Sequence, residues 1–272
     1  MPTLQVRPVD ALAGPVACSA VTSLPAVVLC GGRGTRAHPL TTDVPKPLLP
    51  AGEHPVLRHL LEVFARQGST RFVLAAGFRA EAIAAFARAL PPEWDVEVVD
   101  TGEDTGTGER IRRCRHLLPQ RFFATYGDGV GNVDLQALQQ RHVEAGGRAT
   151  VTVVPLRSQY GTLDLDGEDR VVAFREKPVL PDHWINAGFF VLEQSVFSDW
   201  AGDDLERDVL PALAGAGDLY VYRHRGSWMS VDTHKDLLEM QRLAQGGEDA
   251  PWLSLPAHAS SSRAPAGSSA RT

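Results

Sequence analysis

Apolar positions along the chain fall into two alternating textures. Runs rich in β-branched and aromatic residues read as short strands, and segments with apolar residues three or four positions apart read as helices. Ala26–Cys30 (AVVLC) is the first strand, and Val56, Leu57, Leu60, Leu61 and Phe64 mark one face of the first helix. RFVLAA, a helix carrying Ile83 and Phe86, DVEVVD, a helix around Arg110 to Leu117, FFATYGD, a helix from Asp134 to Ala145 and ATVTVVP continue the series. Strands alternating with helices imply right-handed crossovers and a parallel sheet. After Pro155 the texture changes: GTLDLDGEDRVVAFREKP reads as two strands about a turn at Asp166 to Asp169, followed by INAGFFVLE. The pattern therefore predicts an α/β fold with a mixed, mainly parallel sheet. A last helix is expected over Thr233 to Ala244, capped by Asp232 or Thr233. No internal repeat is present. Residues 1–24 lack periodicity and read as an N-terminal extension, the folded domain is expected over 25–250, and the Ser, Ala and Pro-rich end, 251–272, reads as a disordered tail.

At 272 residues and 43% hydrophobic content the chain can bury one large α/β core. Its net charge of −6 gives no global attraction for nucleic acid or an anionic membrane, so a phosphate site must be built from a few local cations. Cys18, Cys30 and Cys114 match neither a zinc pattern nor a disulfide framework and are read as reduced thiols. Residues 11–30 are apolar but follow Asp10 and are interrupted by Gly14, Pro15, Ser19, Thr22, Ser23 and Pro25, which argues against a signal peptide. With no apolar run of membrane-spanning length, a cytoplasmic protein is expected.

The stretch after the first strand, CGGRGTRAHPLTTDVPKPLLPAG, carries the chemistry. Gly32, Gly34 and Ala37 fit the G-x-G-x-x-A spacing of a dinucleotide-binding turn, but that turn must open a helix at its second glycine. Pro39, Pro45, Pro47 and Pro50 forbid it, so residues 38–50 are expected as an extended loop with the helix beginning near Pro55. What remains is a glycine-rich nest followed by two cations, Arg36 and Lys46, able to neutralise a polyphosphate; taken alone, the loop also fits an ordinary turn with solvated cations. Asp128 of YGDG lies just past an apolar strand, at the strand end where α/β sheets place ligands.

GGRGTR with PKPLLP resembles the signature of the sugar-phosphate nucleotidyltransferases. VDTGEDTGTGERIRR, FATYGDGVGNVDL, YGTLDLDG, FREKP, INAGFFVLE and SVDTHKDLLEM are similar, in order, to segments of their glucose-1-phosphate cytidylyltransferase branch, over about residues 25–253. The resemblance implies a three-layer, Rossmann-like fold of the nucleotidyltransferase type and attack by a sugar 1-phosphate on the α-phosphorus of a nucleoside triphosphate. It implies catalytic roles for Arg36, Lys46, Asp128 and Lys177, and Mg²⁺ on Asp128 and Asp232. Gly31, Gly32, Gly34, Thr35, Arg36, Lys46, Thr101, Thr107, Gly108 and Arg110 would hold the nucleotide, and Glu176, Lys177, Asn186 and Gly188 the sugar phosphate. The expected partners are the two substrates, without nucleic acid or membrane, in a homo-oligomer.

Relatives that use thymidine or uridine triphosphate carry a Gln-Pro-x-Gly-Leu-Ala-like loop that the segment Asp100 to Arg113 lacks. Cytidine triphosphate with glucose 1-phosphate is the expected pair, with the base read by backbone groups around Thr101, Thr107 and Gly108 and by Arg110 towards O2; dTTP, UTP or GTP with another sugar 1-phosphate is the alternative. A catalytically silent sugar-nucleotide-binding regulator is the alternative of another class, disfavoured because Arg36, Lys46, Asp128, Lys177 and Asp232 are all retained.

Overall fold

The computed structural model describes residues 23–200 and 202–254; the N-terminal extension to residue 22 and the tail beyond Ser254 lie outside the described residues. In chain order the main elements are β1 (Ala26–Leu29), a short pair β2 (Pro50–Ala51) and β3 (His54–Pro55), α1 (Val56–Ala65), β4 (Arg71–Ala76), α2 (Ala80–Ala87), β5 (Asp95–Asp100), α3 (Thr107–Arg113), β6 (Arg121–Tyr126) and β7 (Gly129–Gly131). They continue as α4 (Leu135–Ala145), β8 (Ala149–Arg157), β9 (Thr162–Leu165), β10 (Val171–Arg175), β11 (Val179–Glu193), α5 (Leu210–Gly215), β12 (Leu219–Arg223), β13 (Trp228–Ser230) and α6 (His234–Ala244).

Seven strands form one sheet in the order β12-β8-β11-β6-β1-β4-β5. All neighbours pair in parallel except β11, which runs antiparallel to both β6 and β8. This is the mixed, mainly parallel sheet that the change of texture after Pro155 predicts. Side chains alternate across each strand, so Ala26, Val28 and Cys30 of the first strand and its loop enter one core while Val27 and Leu29 enter another. The first core is closed by α1, α4 and α6, the second by α3 and α5, giving three layers. The α4 N-terminus is capped by Asp134, which accepts from the Ala137 amide at 2.8 Å.

Four differences from the sequence expectations stand out. The helix expected around Arg110 to Leu117 begins earlier, at Thr107, and breaks at Cys114 before a single 3₁₀ turn over Arg115–Leu117. The proline loop contains no α-helix, but it tightens into 3₁₀ turns at Thr35–Ala37 and Lys46–Leu48; Pro47 sits in the first turn, where no amide donor is needed. The stretch after β11 adds α5, entered through a π-helical turn at Leu205–Val209, and the edge strand β12. Finally, the boundary at 250 shifts: Ala250 and Trp252 are buried in the first core, and the Trp252 ring meets the His59 ring edge-on at 5.3 Å.

Candidate active site

Because β1, β4, β5 and β6 are mutually parallel, the loops that leave them converge on one edge of the sheet. The proline loop arrives there from β1. Gly34 adopts φ +63°, and a Cβ there would stand 2.9 Å from the Lys46 Cβ and 3.0 Å from the Thr41 Cγ2. Only glycine lets the loop fold back closely enough to bring Lys46 inward.

Lys46 is 6% exposed, and its Nζ donates to the Asp128 Oδ2 at 2.6 Å and to the Asp232 Oδ1 at 2.8 Å. The Arg36 Nη2 stands 3.0 Å from the same Asp232 oxygen. The backbone explains how two aspartates from distant segments meet. β7 and β13 pair antiparallel, with Ser230 opposite Gly129, and the Val231 amide donates to the Asp128 carbonyl at 2.9 Å. Asp232 is then fixed at the threshold of α6, where Thr233 and Asp236 form a capping box and the Asp236 carboxylate also accepts from the Asp232 amide. Burial pushes the Asp232 carboxyl upward, but the Lys46 hydrogen bond and the charges of Lys46 and Arg36 outweigh it and hold it below the usual range. Arg36 and Lys46, expected as a pair of cations, and Asp128 and Asp232, expected as a pair of carboxylates, thus form one cluster. Cys30 lies beneath it; burial, and then the Asp128 charge, push its thiol upward, and Cys30 and Cys114 are both free.

A second group, Gly31, Thr101 and Arg110, also assembles, with a role the sequence did not suggest. Arg110 is 3% exposed. Its Nη1 donates to the Ala76 carbonyl, the Thr101 Oγ1 and the Gly102 carbonyl at 3.1, 2.6 and 2.7 Å, and its Nη2 donates to the Gly31 and Glu103 carbonyls, each at 3.0 Å. The guanidinium ties together the loops leaving β1, β4 and β5 and has no free fork for a base, which corrects the expected contact with O2. Gly31 provides room for it, since a Cβ there would lie 2.1 Å from the Arg110 Nη1. Thr101 is fully buried, its hydroxyl donating to the Ala76 carbonyl at 2.6 Å. At the open mouth, Gly32 faces free space, and the Arg33 Nη1 meets the Glu103 Oε1 at 2.8 Å across the two loops.

Thr107 and Gly108 are directed elsewhere. The Thr107 hydroxyl donates to the Glu206 Oε2 at 2.7 Å, and a Cβ on Gly108 would stand 3.1 Å from the Asp203 carbonyl. Both residues, whose neighbouring backbone groups are the expected base readers, pack against the π-helical turn and the segment before it. Asn186 and Gly188 of β11 meet at that place: the Gly188 amide donates to the Asn186 Oδ1 at 2.7 Å, and the Asn186 Nδ2 donates to the Tyr126 hydroxyl at 3.3 Å. Tyr126 and Glu206 were not singled out for a role from sequence. The signal for Glu206 was the pattern Leu205, Val209, Leu213 behind the cap Asp204, which accepts from the Glu206 and Arg207 amides. Glu176 and Lys177 follow the end of β10, with 3.6 Å between the Lys177 Nζ and the Glu176 Oε1. Among the described residues no helix is long and apolar enough to cross a membrane.

Residues 25–246 match the model of the nucleotidyl transferase family. The chain belongs to that family. It is 35% identical over 248 residues to a probable glucose-1-phosphate cytidylyltransferase of Bacillus subtilis, covering 82% of this chain and 97% of that one. It is 32% identical over 224 residues to a mannose-1-phosphate guanyltransferase of Debaryomyces hansenii, covering 78% of this chain and 62% of that one. The fold is also that of HddC from Yersinia pseudotuberculosis, with a TM-score of 0.66 at 24% identity over 80% of this chain and 98% of that one. The resemblance to nucleotidyltransferases read from the motifs is borne out, and with it the Rossmann-like α/β fold.

Proposed function

We propose that this protein transfers the nucleotidyl group of a nucleoside triphosphate, CTP in the first instance, to a hexose 1-phosphate, glucose 1-phosphate in the first instance, releasing pyrophosphate. The observation that carries the reading is the cluster of Lys46, Arg36, Asp128 and Asp232 at the carboxyl edge of β1 and β6. Both substrates are anions, so the reaction needs positioning and charge neutralisation more than a protein nucleophile. Lys46 and Arg36 supply that charge at the α-phosphate and the departing pyrophosphate.

The two carboxylates converge on one ammonium, which marks a point where they jointly favour a cation. A pair of hard oxygen donors fits Mg²⁺, which takes one or two carboxylates and leaves its other positions to phosphate and water. Asp128 and Asp232 would hold it. When bound, it neutralises phosphate charge and fixes the triphosphate against the incoming oxygen. Lys177, with Glu176, is assigned to the sugar phosphate, and the chain is expected to act as a homo-oligomer.

The choice of CTP with glucose 1-phosphate is supported by the coverage of the relatives: the match spans 97% of the Bacillus subtilis cytidylyltransferase but 62% of the Debaryomyces hansenii guanyltransferase. Base reading falls to backbone groups at the open mouth near Gly32, since Arg110 is engaged within the loops. A pyrophosphate-release screen of CTP, UTP, dTTP, ATP and GTP against a panel of sugar 1-phosphates tests the reading. The highest kcat/KM is expected for CTP with glucose 1-phosphate. A tenfold preference for dTTP, UTP or GTP overturns the cytidylyl assignment, and no release from any pair overturns the nucleotidyl transfer itself.

A further inference from the structure

A chain of hydrogen bonds crosses the sugar side of the site, and its direction is fixed at both ends by backbone amides. At one end the Gly188 N–H can only donate, so it must face the Asn186 Oδ1, which leaves the Asn186 amide nitrogen toward the Tyr126 oxygen. The Tyr126 hydroxyl, accepting from Asn186, donates in turn to the Glu206 Oε1. At the other end the Leu205 N–H donates to the Thr107 Oγ1 at 2.9 Å, and the Thr107 hydroxyl donates to the Glu206 Oε2 at 2.7 Å. Both branches terminate on one carboxylate, which can only accept. No member can reverse without leaving a donor facing a donor or an acceptor facing an acceptor.

Local structure holds each member in place. Glu206 lies in the π-helical turn, an irregularity often found at functional sites, and the Asp204 cap fixes that turn by accepting from the Glu206 amide at 3.0 Å and the Arg207 amide at 2.8 Å. Gly188 adopts φ +78°, and a Cβ there would stand 2.3 Å from the Tyr126 Cδ2, so the ring lies directly on the β11 backbone. Tyr126 is followed immediately by Gly127 and Asp128. The chain of bonds thus joins α3, the β6 strand that delivers Asp128, and β11.

We infer that Glu206 is a positioning residue for the sugar: by accepting from Tyr126 it holds that hydroxyl as an acceptor for Asn186 and so locks the Asn186 amide in the orientation that Gly188 selects, with its second amide N–H left to donate to a hydroxyl of the sugar 1-phosphate. This rests on the sugar 1-phosphate reading above and adds to it a residue and a polarity, a donor offered to one sugar hydroxyl. Glu206→Gln is the decisive variant, because its amide keeps the shape but can present a donor to Tyr126 and release the direction of the chain. Tyr126→Phe breaks the chain at its centre while leaving Glu206 in place.

The experiment measures pyrophosphate release by the full chain with CTP and α-D-glucose 1-phosphate, and with its monodeoxy analogues at the ring hydroxyls. Both variants are expected to raise KM for glucose 1-phosphate about tenfold, with KM for CTP within about twofold of wild type, which corresponds to the loss of one hydrogen bond. One monodeoxy analogue should lose about tenfold in kcat/KM with wild type and little further with either variant, because the contact it lacks is already gone. A merely structural role would raise both KM values together and leave the analogue penalty intact, and that result overturns the inference. Unchanged kinetics in both variants also overturns it, while leaving nucleotidyl transfer standing. Absence of pyrophosphate release by the wild type, whatever the nucleoside triphosphate and sugar 1-phosphate, is the separate result that removes the reading on which the inference rests.

Discussion

Single residues carry the charge balance of the site. Lys46 sits between two carboxylates at 2.6 and 2.8 Å, so replacing it with methionine removes charge from the substrate side and leaves two anions facing each other. A fall in kcat of about 10²-fold or more is expected, larger than any rise in KM, in initial-rate pyrophosphate release. Asp128→Asn should abolish turnover while circular dichroism shows the fold retained, because the amide preserves shape and loses the charge proposed to hold Mg²⁺; the melting temperature should fall only as far as the lost pairing with Lys46 requires. The Asp232 carboxyl is held below its ordinary range in the fold, so its contribution to stability is complete above the unfolded carboxyl pKa of about 3.9 and is lost as pH falls below that. The melting-temperature gap between wild type and Asp232→Asn should therefore be constant from neutral pH down to about pH 5 and close at lower pH. Arg110→Lys keeps one charge but loses the fork that reaches five acceptors. A cost on the order of 3 kcal/mol in urea unfolding is expected, with a weaker grip on nucleotide, because three loops lose their common tie.

Among the elements, those built from local pattern were legible in the sequence and those built from distant contact were not. The prolines of residues 38–50 exclude a helix by backbone chemistry alone, and Asp128 follows a strand whose end could be counted. The meeting of Asp128 with Asp232 depends on the pairing of β7 with β13, two three-residue strands too short to leave a period. Arg110 is expected at the base because a guanidinium can donate to the cytosine O2; only the fold shows five acceptors around it. The side-chain partner of Thr107 and the close neighbour of Gly108 lie in and before the turn that precedes α5, nearly a hundred positions away, which no local pattern reveals. Trp252 followed a helix end and preceded a polar tail, so its burial left no periodic signal. Trp252→Ala should cost about 3–5 kcal/mol in urea unfolding, since a wholly buried indole against α1 leaves a large void. Truncation after Ala250 should cost a similar amount, and a loss below 1 kcal/mol would restore the shorter boundary.

For the molecule as a whole, the parallel strands β1 and β6 bring Arg36, Lys46 and Asp128 to one edge of the sheet, while the antiparallel β11 delivers Asn186 and Gly188 to the same edge from the opposite direction. The sheet thereby offers two halves, an open mouth at β1, β4 and β5 and a polar chain at β6 and β11. The capping box that seats Asp232 has a further meaning when the chain is considered in time. Lys46 and Asp232 are 186 positions apart, and Asp232 reaches the cluster only when α6 has docked, through Leu237 and Met240 in the core and the Gln241 side chain on the Pro50 carbonyl. A nascent chain short of α6 would carry an incomplete charge cluster, so activity waits on the docking of that helix. In the finished protein the same dependence ties activity to α6 staying docked, and peripheral helices open at lower free energy than central strands. On gradual heating, pyrophosphate release should disappear at a lower temperature than the far-ultraviolet circular dichroism of the sheet, and coincident transitions would show that α6 and the sheet melt as one unit.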